Sequence, residues 1–186
     1  MDKDKLQPKR VQDSMVTLAR VMQPSDANPG GIVHGGSVMK EIDNAAGVVA
    51  IKHAGNLAVT ASIDRIDFHN MIFIGEMITI KASINMAGRT SMEIGVRVDA
   101  EDLLKGTSRH VSSAYLTFVA VDKVTGKPLP VPELILVTDE EKRRNRGALK
   151  RKELRMVLKK FETSCKLDPT ACINLDVGTG NTVSVS

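Results

Sequence analysis

The sequence contains one long run with helical spacing of its apolar residues, flanked by segments with a shorter repeat. Apolar residues recur every three or four positions from Gly35 onward, until Gly55 and Asn56 interrupt the pattern. This spacing predicts one helix of about 20 residues, roughly 30 Å long. Its apolar stripe is rich in Ala and Gly, which favours close packing against a sheet.

Five segments are predicted to be strands, from alternation with a period of two or from apolar runs without helix breakers. The strand that follows the helix changes phase near Arg65, which is typical of a bulge or bend. Turn formers fill residues 23–31 before the helix, and residues 87–89 join two of the strands as a hairpin. The five segments are residues 11–22, 57–68, 78–86, 92–98 and 107–121.

This order predicts an α+β domain over residues 1–138, with an antiparallel sheet wrapped around a single helix. The other face or the edge of such a sheet needs a partner, and dimerisation would supply one. Residues 139–161 are predicted to form a separate basic helix, and residues 162–186 a polar, disordered tail.

The net charge of +4 comes from one segment of the chain. Residues 139–162 contain ten Lys or Arg and five Asp or Glu, whereas the rest of the chain contains 16 and 17. The main domain is therefore close to neutral, and an aromatic content of 3% leaves few stacking platforms for single-stranded nucleic acid. We expect no nucleic-acid partner; the basic helix could pack on neighbouring subunits, meet an acidic surface, or be a solvated charged face.

Membrane insertion, secretion and metal binding are not expected. No run of eighteen uncharged apolar residues occurs, and the first ten residues are charged, so we expect a cytoplasmic protein. The spacing of Cys165 and Cys172 fits no common zinc or redox pattern, and it supports neither a metal site nor a disulfide scaffold. The four histidines are scattered and show no metal or Ser-His-Asp spacing.

The glycine-rich loop that leads into the helix is the first candidate site. Backbone N–H groups at a helix start lack partners, so those of Gly35 and Gly36 could hold a developing oxyanion or a phosphate. Asn28 could orient a water or a carbonyl. The alternative is a flexible connection that needs Gly for its dihedral angles, with Asn28 as a turn residue before Pro29.

Asp43 is a candidate base or nucleophile, because it lies on the helix face of Gly36 in a strip of small and apolar residues. It could equally be a solvated residue beside Lys40 and Glu41. Two helical turns separate Asp43 from Gly36 by roughly 10 Å, whereas both groups must come within roughly 3 Å of the reacting atoms. Two antiparallel copies of the helix could satisfy both distances.

Two further groups are candidate binding residues. Arg89, Thr90 and Ser91 combine a cation with hydroxyls after Gly88, which suits a phosphate or diphosphate, although a plain hairpin turn has the same composition. His34 could brace the glycine-rich loop.

Three separated blocks resemble the hotdog-fold acyl-CoA thioesterases of the acyl-CoA hydrolase type. They are NPGGIVHGGSVMKEIDNAAGVVAIKH, VTASIDRIDFHNMIFIGEMITIKASINMAGRTSMEIGVRV and AYLTFVAVDKVTGKPLPVP, and the similarity extends from about Met15 to Arg144. The resemblance implies an α+β hotdog fold, a curved antiparallel sheet wrapped around one long central helix. It also implies hydrolysis of fatty acyl-CoA to free CoA and a carboxylic acid, with CoA as part of the substrate and no cofactor.

The resemblance also implies roles for individual residues. The active-site asparagine and aspartate of the family correspond to Asn28 and Asp43. In double-hotdog relatives these two residues come from different repeats, so this chain would pair with a second copy; a hexamer built as a trimer of dimers is expected. The amides of Gly35 and Gly36 would polarise the thioester carbonyl, and Asp43 would act as general base or as nucleophile. His34 and residues 89–91 would contact the CoA part of the substrate.

Three other functions are alternatives to acyl-CoA hydrolysis. A non-catalytic acyl-CoA-binding hotdog regulator is the main alternative, although such a binder could lose Asn28 and Asp43, and both are present. A hydratase or dehydratase would need a histidine and a carboxylate arranged for proton transfer at carbon. A nucleic-acid or membrane-surface binder would use the cluster from Lys142 to Lys160 and would lose binding steeply with salt.

Overall fold

The structure is a computed structural model that describes residues 6–167. The chain divides into two compact units, with the boundary between Asn145 and Arg146. The first unit contains a five-stranded sheet, a short two-stranded sheet and one long helix. Its elements in chain order are β1 (Lys9–Arg10), a 3-10 turn (Val11–Asp13), β2 (Val16–Val21), a 3-10 turn (Pro24–Asp26), α1 (Gly35–Ala54), β3 (Ala58–Phe68), β4 (Met77–Ala87), β5 (Ser91–Asp102), β6 (Thr107–Ala120) and β7 (Leu134–Ile135).

The main sheet has five strands in the order β2-β4-β5-β6-β3, and every neighbouring pair is antiparallel. Strands β1 and β7 form a separate, short parallel pair. The predicted antiparallel sheet, the single helix in contact with it and the hairpin of β4 and β5 are therefore confirmed.

Helix α1 follows the predicted apolar stripe closely. The side chain of His34 caps its start, and Gly55, with a φ of 68°, ends it in the left-handed conformation. The stripe packs on the sheet residues that alternate inward, mostly Ile and Val of β4 and β5. Small residues let the helix lie close to the sheet. The buried apolar residues of the helix are Val38, Ile42, Ala45, Ala46, Val49, Ala50 and Ala54.

Two strands are less regular than a simple alternation. The first strand begins at Val16 instead of residue 11, because a 3-10 turn precedes it and Asp13 accepts a hydrogen bond from the backbone N–H of Arg10 at 2.8 Å. Strand β3 has two irregularities, one between Thr60 and Ser62 and one between Ile63 and Arg65. The second irregularity confirms the predicted change of phase near Arg65.

Helix α2 (Asp139–Leu167) begins where the sequence predicted and ends beyond the predicted residue 161. Thr138 and Glu141 form reciprocal hydrogen bonds at its start, which is a capping box. The assignment of three domains stays a prediction, and residues 168–186 of the predicted tail lie outside the described residues. No helix among residues 6–167 is long and apolar enough to cross a membrane.

Cys165 in α2 is disulfide-bonded, which the spacing of the two cysteines did not predict. A disulfide depends on the approach of two Cβ atoms in space, and spacing in the sequence does not report that distance.

A buried histidine connects the end of α1 to the segment before β7. The Nε2 of His53 donates a hydrogen bond to the carbonyl of Pro132 at 3.0 Å, and its Nδ1 is buried with no hydrogen-bond partner in the described structure. Lys9 donates to the last carbonyls of the helix, those of Lys52 and His53. Burial lowers the pKa of His53, because the charged imidazolium would lose its hydration.

This burial predicts a loss of stability in mild acid. Because the fold favours neutral His53, the unfolded chain takes up a proton first, and the free energy of unfolding falls as pH drops below about 6.5. The measurement is urea unfolding from about pH 8 to about pH 5, for wild type and His53→Gln, which removes the titration. The difference in the free energy of unfolding between wild type and variant should become smaller toward acid pH. A difference that is independent of pH would contradict the assignment to His53.

Candidate active site

The loop before α1 is built around the side chain of Asn28. Its Oδ1 accepts hydrogen bonds from the backbone N–H groups of Gly30 at 2.8 Å and Ile32 at 3.4 Å. Because two donors face it, this atom must be the oxygen. Within the described structure no partner is recorded for the Nδ2 amide, so Asn28 can donate from Nδ2 to a bound molecule while its oxygen holds the loop.

The two predicted oxyanion donors are not equivalent. The Gly36 N–H donates to Nδ1 of His34 at 2.8 Å, and this bond is the N-cap of α1. No hydrogen bond of the Gly35 N–H is recorded among residues 6–167. Gly35 therefore presents the available amide, whereas the amide of Gly36 is engaged by His34.

Glycine at position 36 is required for this cap. A Cβ there would lie 2.7 Å from Nδ1 of His34, closer than real contacts allow. Since Nδ1 accepts this hydrogen bond from the Gly36 N–H, the ring hydrogen of the His34 imidazole is on Nε2. His34 thus has the bracing role that the sequence suggested.

A cavity of about 350 Å³ opens beside Asn28 and Gly35. Most of its wall is apolar, which suits a site that takes an apolar group and orients it with a few polar ones. Phe68 and Met71 stand at about half exposure or more in this wall. The lining residues are Asn28, Ile32, Val33, Gly35, Val38, Phe68, His69, Asn70, Met71 and Ile72.

An ion pair holds the segment that forms one wall of the cavity. Arg109 donates to both carboxylate oxygens of Glu76, at 2.7 and 2.8 Å, and to the carbonyl of Met71 at 2.6 Å. Glu76 also accepts the backbone N–H of Phe73. The Arg109 guanidinium holds the pKa of the Glu76 carboxyl below its usual value. This network was not predicted, because its members are 33 residues apart in the sequence.

Asp43 lies on α1, and its carboxylate is oriented by a residue that the sequence analysis missed. Oδ1 of Asp43 accepts a hydrogen bond from Oγ1 of Thr60 on β3 at 2.7 Å. The signal in the sequence was a hydroxyl in the strand that follows the helix, but many strand residues carry hydroxyls. Asp43 is not among the residues that line the cavity of Asn28 and Gly35.

Residues 88–90 form the hairpin turn between β4 and β5, one residue beyond the predicted 87–89, and Ser91 is the first residue of β5. The N–H of Gly88 donates to the carbonyl of Ser91 at 2.7 Å. The carbonyls of Arg89 and Thr90 accept from Val131 and Ala120, each at 3.0 Å. The Arg89 side chain is exposed, and none of residues 89–91 lines the cavity. A role for this turn in binding CoA stays a prediction.

The structure groups two histidines that are far apart in the sequence. The rings of His69 and His110 lie 5.1 Å apart, and His110 approaches Ser113 at 3.0 Å through Nε2 and Asp99 at 3.4 Å through Nδ1. Ser113 lies in the middle of β6, which pairs with a strand on each side. The backbone N–H groups next to Ser113 are therefore part of the hydrogen-bond ladders of the sheet. Through this ring contact the cluster lies beside His69 in the cavity wall. No group of three or more His, Cys, Asp or Glu within residues 6–167 could hold a metal ion.

Known proteins of one family match this sequence. The sequence model of the thioesterase superfamily matches residues 30–107. The cytosolic acyl coenzyme A thioester hydrolase of Rattus norvegicus is 41% identical over 140 residues, which are 74% of this chain and 36% of the rat protein. The chain thus spans about a third of the length of this relative.

Solved structures match over almost their whole length. A hexameric acyl-CoA thioesterase, solved in its apo form, is 40% identical with a TM-score of 0.78, and the match covers 81% of this chain and 96% of that one. An acyl-CoA hydrolase from Staphylococcus aureus, in complex with butyryl coenzyme A, coenzyme A and coenzyme A disulfide, is 34% identical with a TM-score of 0.77. That match covers 88% of this chain and 98% of the other.

Single-residue variants of the S. aureus enzyme also match. They are Asn28Ala, Asp43Ala and Thr60Ala in the numbering of that enzyme, with TM-scores of 0.77 to 0.80. Since the similarity covers both the sequence and the fold, the chain belongs to the thioesterase superfamily, with the hotdog fold of the acyl-CoA hydrolases.

Proposed function

We propose that this protein is an acyl-CoA thioesterase, which hydrolyses fatty acyl-CoA to free CoA and a carboxylic acid. The proposal rests on one observation: two groups of residues with complementary chemical roles lie apart in the same chain, and each forms half of a site. One is a cavity with the donors of Asn28 and Gly35, and the other is the Asp43 carboxylate held by Thr60. The rat relative and the two solved structures described above are named acyl-CoA hydrolases or thioesterases, which supports the same chemistry.

The reaction needs a polarised carbonyl and an activated oxygen nucleophile. The Gly35 N–H and the Asn28 Nδ2 would donate to the thioester oxygen, where negative charge develops. The Gly36 N–H could join them only if it leaves His34 Nδ1. Asp43 would take a proton from water, whose oxygen bonds to the carbonyl carbon as the carbon–sulfur bond breaks and the CoA thiolate leaves. Direct attack by Asp43, with water releasing the acid afterwards, is the second route.

The two half-sites would meet between two copies of the chain. Strand β3 is at the edge of the sheet and exposes Val59 and Ile63, at 44% and 47%. Val48 and Ile51 of α1 are exposed to a similar extent. An edge strand that exposes apolar side chains is a surface that proteins cover. We propose a homodimer at minimum, and a hexamer as a trimer of dimers, since solved relatives are described as hexameric.

The CoA part of the substrate would contact residues outside the cavity. The exposed Arg89 cation suits a phosphate of CoA, with Thr90 and Ser91 as hydroxyl donors. His34, next to the helix start, would contact the same part of the substrate. No cofactor and no nucleic-acid partner is proposed, and a cytoplasmic location is proposed because the mammalian relatives are named cytosolic.

Replacing the Asp43 carboxylate should abolish turnover without unfolding the protein. We expect Asp43→Asn to lower kcat by about 100-fold or more, since it removes the base or nucleophile. The measurement is thiol release from acyl-CoAs of short, long and branched chains. Asp139→Asn, the same change at an exposed carboxylate, is the control and should keep full activity. Wild-type rates in Asp43→Asn would refute the role; no release by the wild type, with CoA binding retained, would indicate the regulator instead.

The hydroxyl of Thr60 should act through Asp43. Thr60→Val removes the 2.7 Å hydrogen bond, so we expect kcat to fall roughly 10- to 100-fold, while Thr60→Ser keeps most of it. Since Thr60 positions the carboxylate and does not bind the acyl chain, KM should change little. Thr17→Val, at an exposed threonine of β2, is the matched control. Equal losses in Thr60→Val and Thr60→Ser would contradict the positioning role.

A further inference from the structure

The second unit contains the larger part of α2, and this part of the helix has a strong excess of positive charge. Residues 146–167 contain eight Lys or Arg and two Asp or Glu. The family model ends at residue 107, so this helix lies outside the segment that the family model matches. Like charges on a helix repel one another. A helix surface with this much positive charge is therefore stable only in water or in contact with negative charge.

The same segment exposes an apolar stripe. Leu154, Val157 and Leu158 are 53%, 62% and 55% exposed, and Phe161 continues the spacing one turn later at intermediate exposure. Spacings of three and four residues place these side chains on one side of the helix, within about a third of its circumference. Lys160 lies beside this stripe and Lys150 lies one turn before Leu154; both are exposed, and Lys150 forms an ion pair with Glu153 at 3.0 Å. The segment is therefore a basic helix that exposes an apolar stripe, and Leu149 and Met156 are exposed on its other side.

We propose that this helix binds the surface of membranes that contain anionic phospholipids, with its apolar stripe inserted between the headgroups. The inference goes beyond the proposed hydrolysis and does not depend on it. A second copy of the helix would bring its own excess of positive charge, so self-association is electrostatically opposed. A nucleic acid would pair with the cations but would leave the apolar side chains in water. An anionic lipid surface satisfies both features.

The proposed binding mode lies flat on the bilayer. The apolar side chains would enter the boundary between headgroups and acyl chains, and the lysines beside them would extend to the phosphates. No described helix is apolar enough to cross the bilayer, which agrees with attachment to one leaflet. Attraction between lysines and lipid phosphates is screened by salt, so the binding should weaken as ionic strength rises.

The test is sedimentation of the full-length protein with vesicles, either pure phosphatidylcholine or phosphatidylcholine with one third phosphatidylglycerol. Wild type should bind the anionic vesicles and not the neutral ones. Lys150→Gln with Lys160→Gln should lower partitioning roughly 30-fold, and Leu154→Ser with Leu158→Ser should lower it at least tenfold. The matched controls are Lys123→Gln with Lys127→Gln and Leu103→Ser with Leu104→Ser, at exposed turn residues, and these should bind as wild type.

Several outcomes would overturn the proposal. These are equal binding to both vesicles, no binding to either, or equal loss in the helix variants and their controls. Salt-sensitive binding to duplex DNA without vesicle binding would assign the cations to nucleic acid. A change of oligomeric state in the leucine variant, without lipid binding by wild type, would assign the stripe to a second copy. Circular dichroism confirms that each variant is folded, and thiol release, measured separately, keeps failure of the hydrolase distinct from failure of membrane binding.

Discussion

The rigidity of α1 is the constraint on which the proposed site depends. The helix begins at Gly35, where an unpaired amide faces the cavity, and it carries Asp43 two turns later. Two turns are roughly 10 Å, and a helix held against a sheet along its buried face does not shorten. A carbonyl bound at the helix start is therefore out of reach of the carboxylate of the same chain. The proposed mechanism would therefore draw the two groups from two different chains.

The packing of the domain favours such a pairing. The small residues of the buried stripe bring α1 close to β4 and β5, and the opposite side of the helix keeps apolar side chains in solvent. Strand β3, at the edge of the sheet, carries both Thr60 and the exposed Val59 and Ile63. The strand that orients the carboxylate is thus also one of the two edge strands of the five-stranded sheet in residues 6–167. Assembly and catalysis would depend on the same surface.

Periodicity predicted the order of elements well, because burial on one face imposes it on every helix and strand. It failed where a single side chain decides local structure, as Asp13 does in the turn before β2. In the site, the sequence presented Gly35 and Gly36 as equivalent amides, and only the position of the His34 ring distinguishes them. Thr60 was missed because its partner Asp43 is 17 residues away in the sequence and meets it only in the folded chain.

A mixing experiment tests the shared site most directly. Two variants, Asn28→Ala and Asp43→Asn, carry different tags, and each should be inactive by itself. They are then co-expressed so that mixed dimers form. Each mixed dimer has one intact site, so random pairing predicts recovery to about a quarter of wild-type activity. Pairing Asn28→Ala with the double variant cannot build an intact site and should recover nothing. A mixture as inactive as its components, although mixed dimers are isolated, would show that each site lies within one chain.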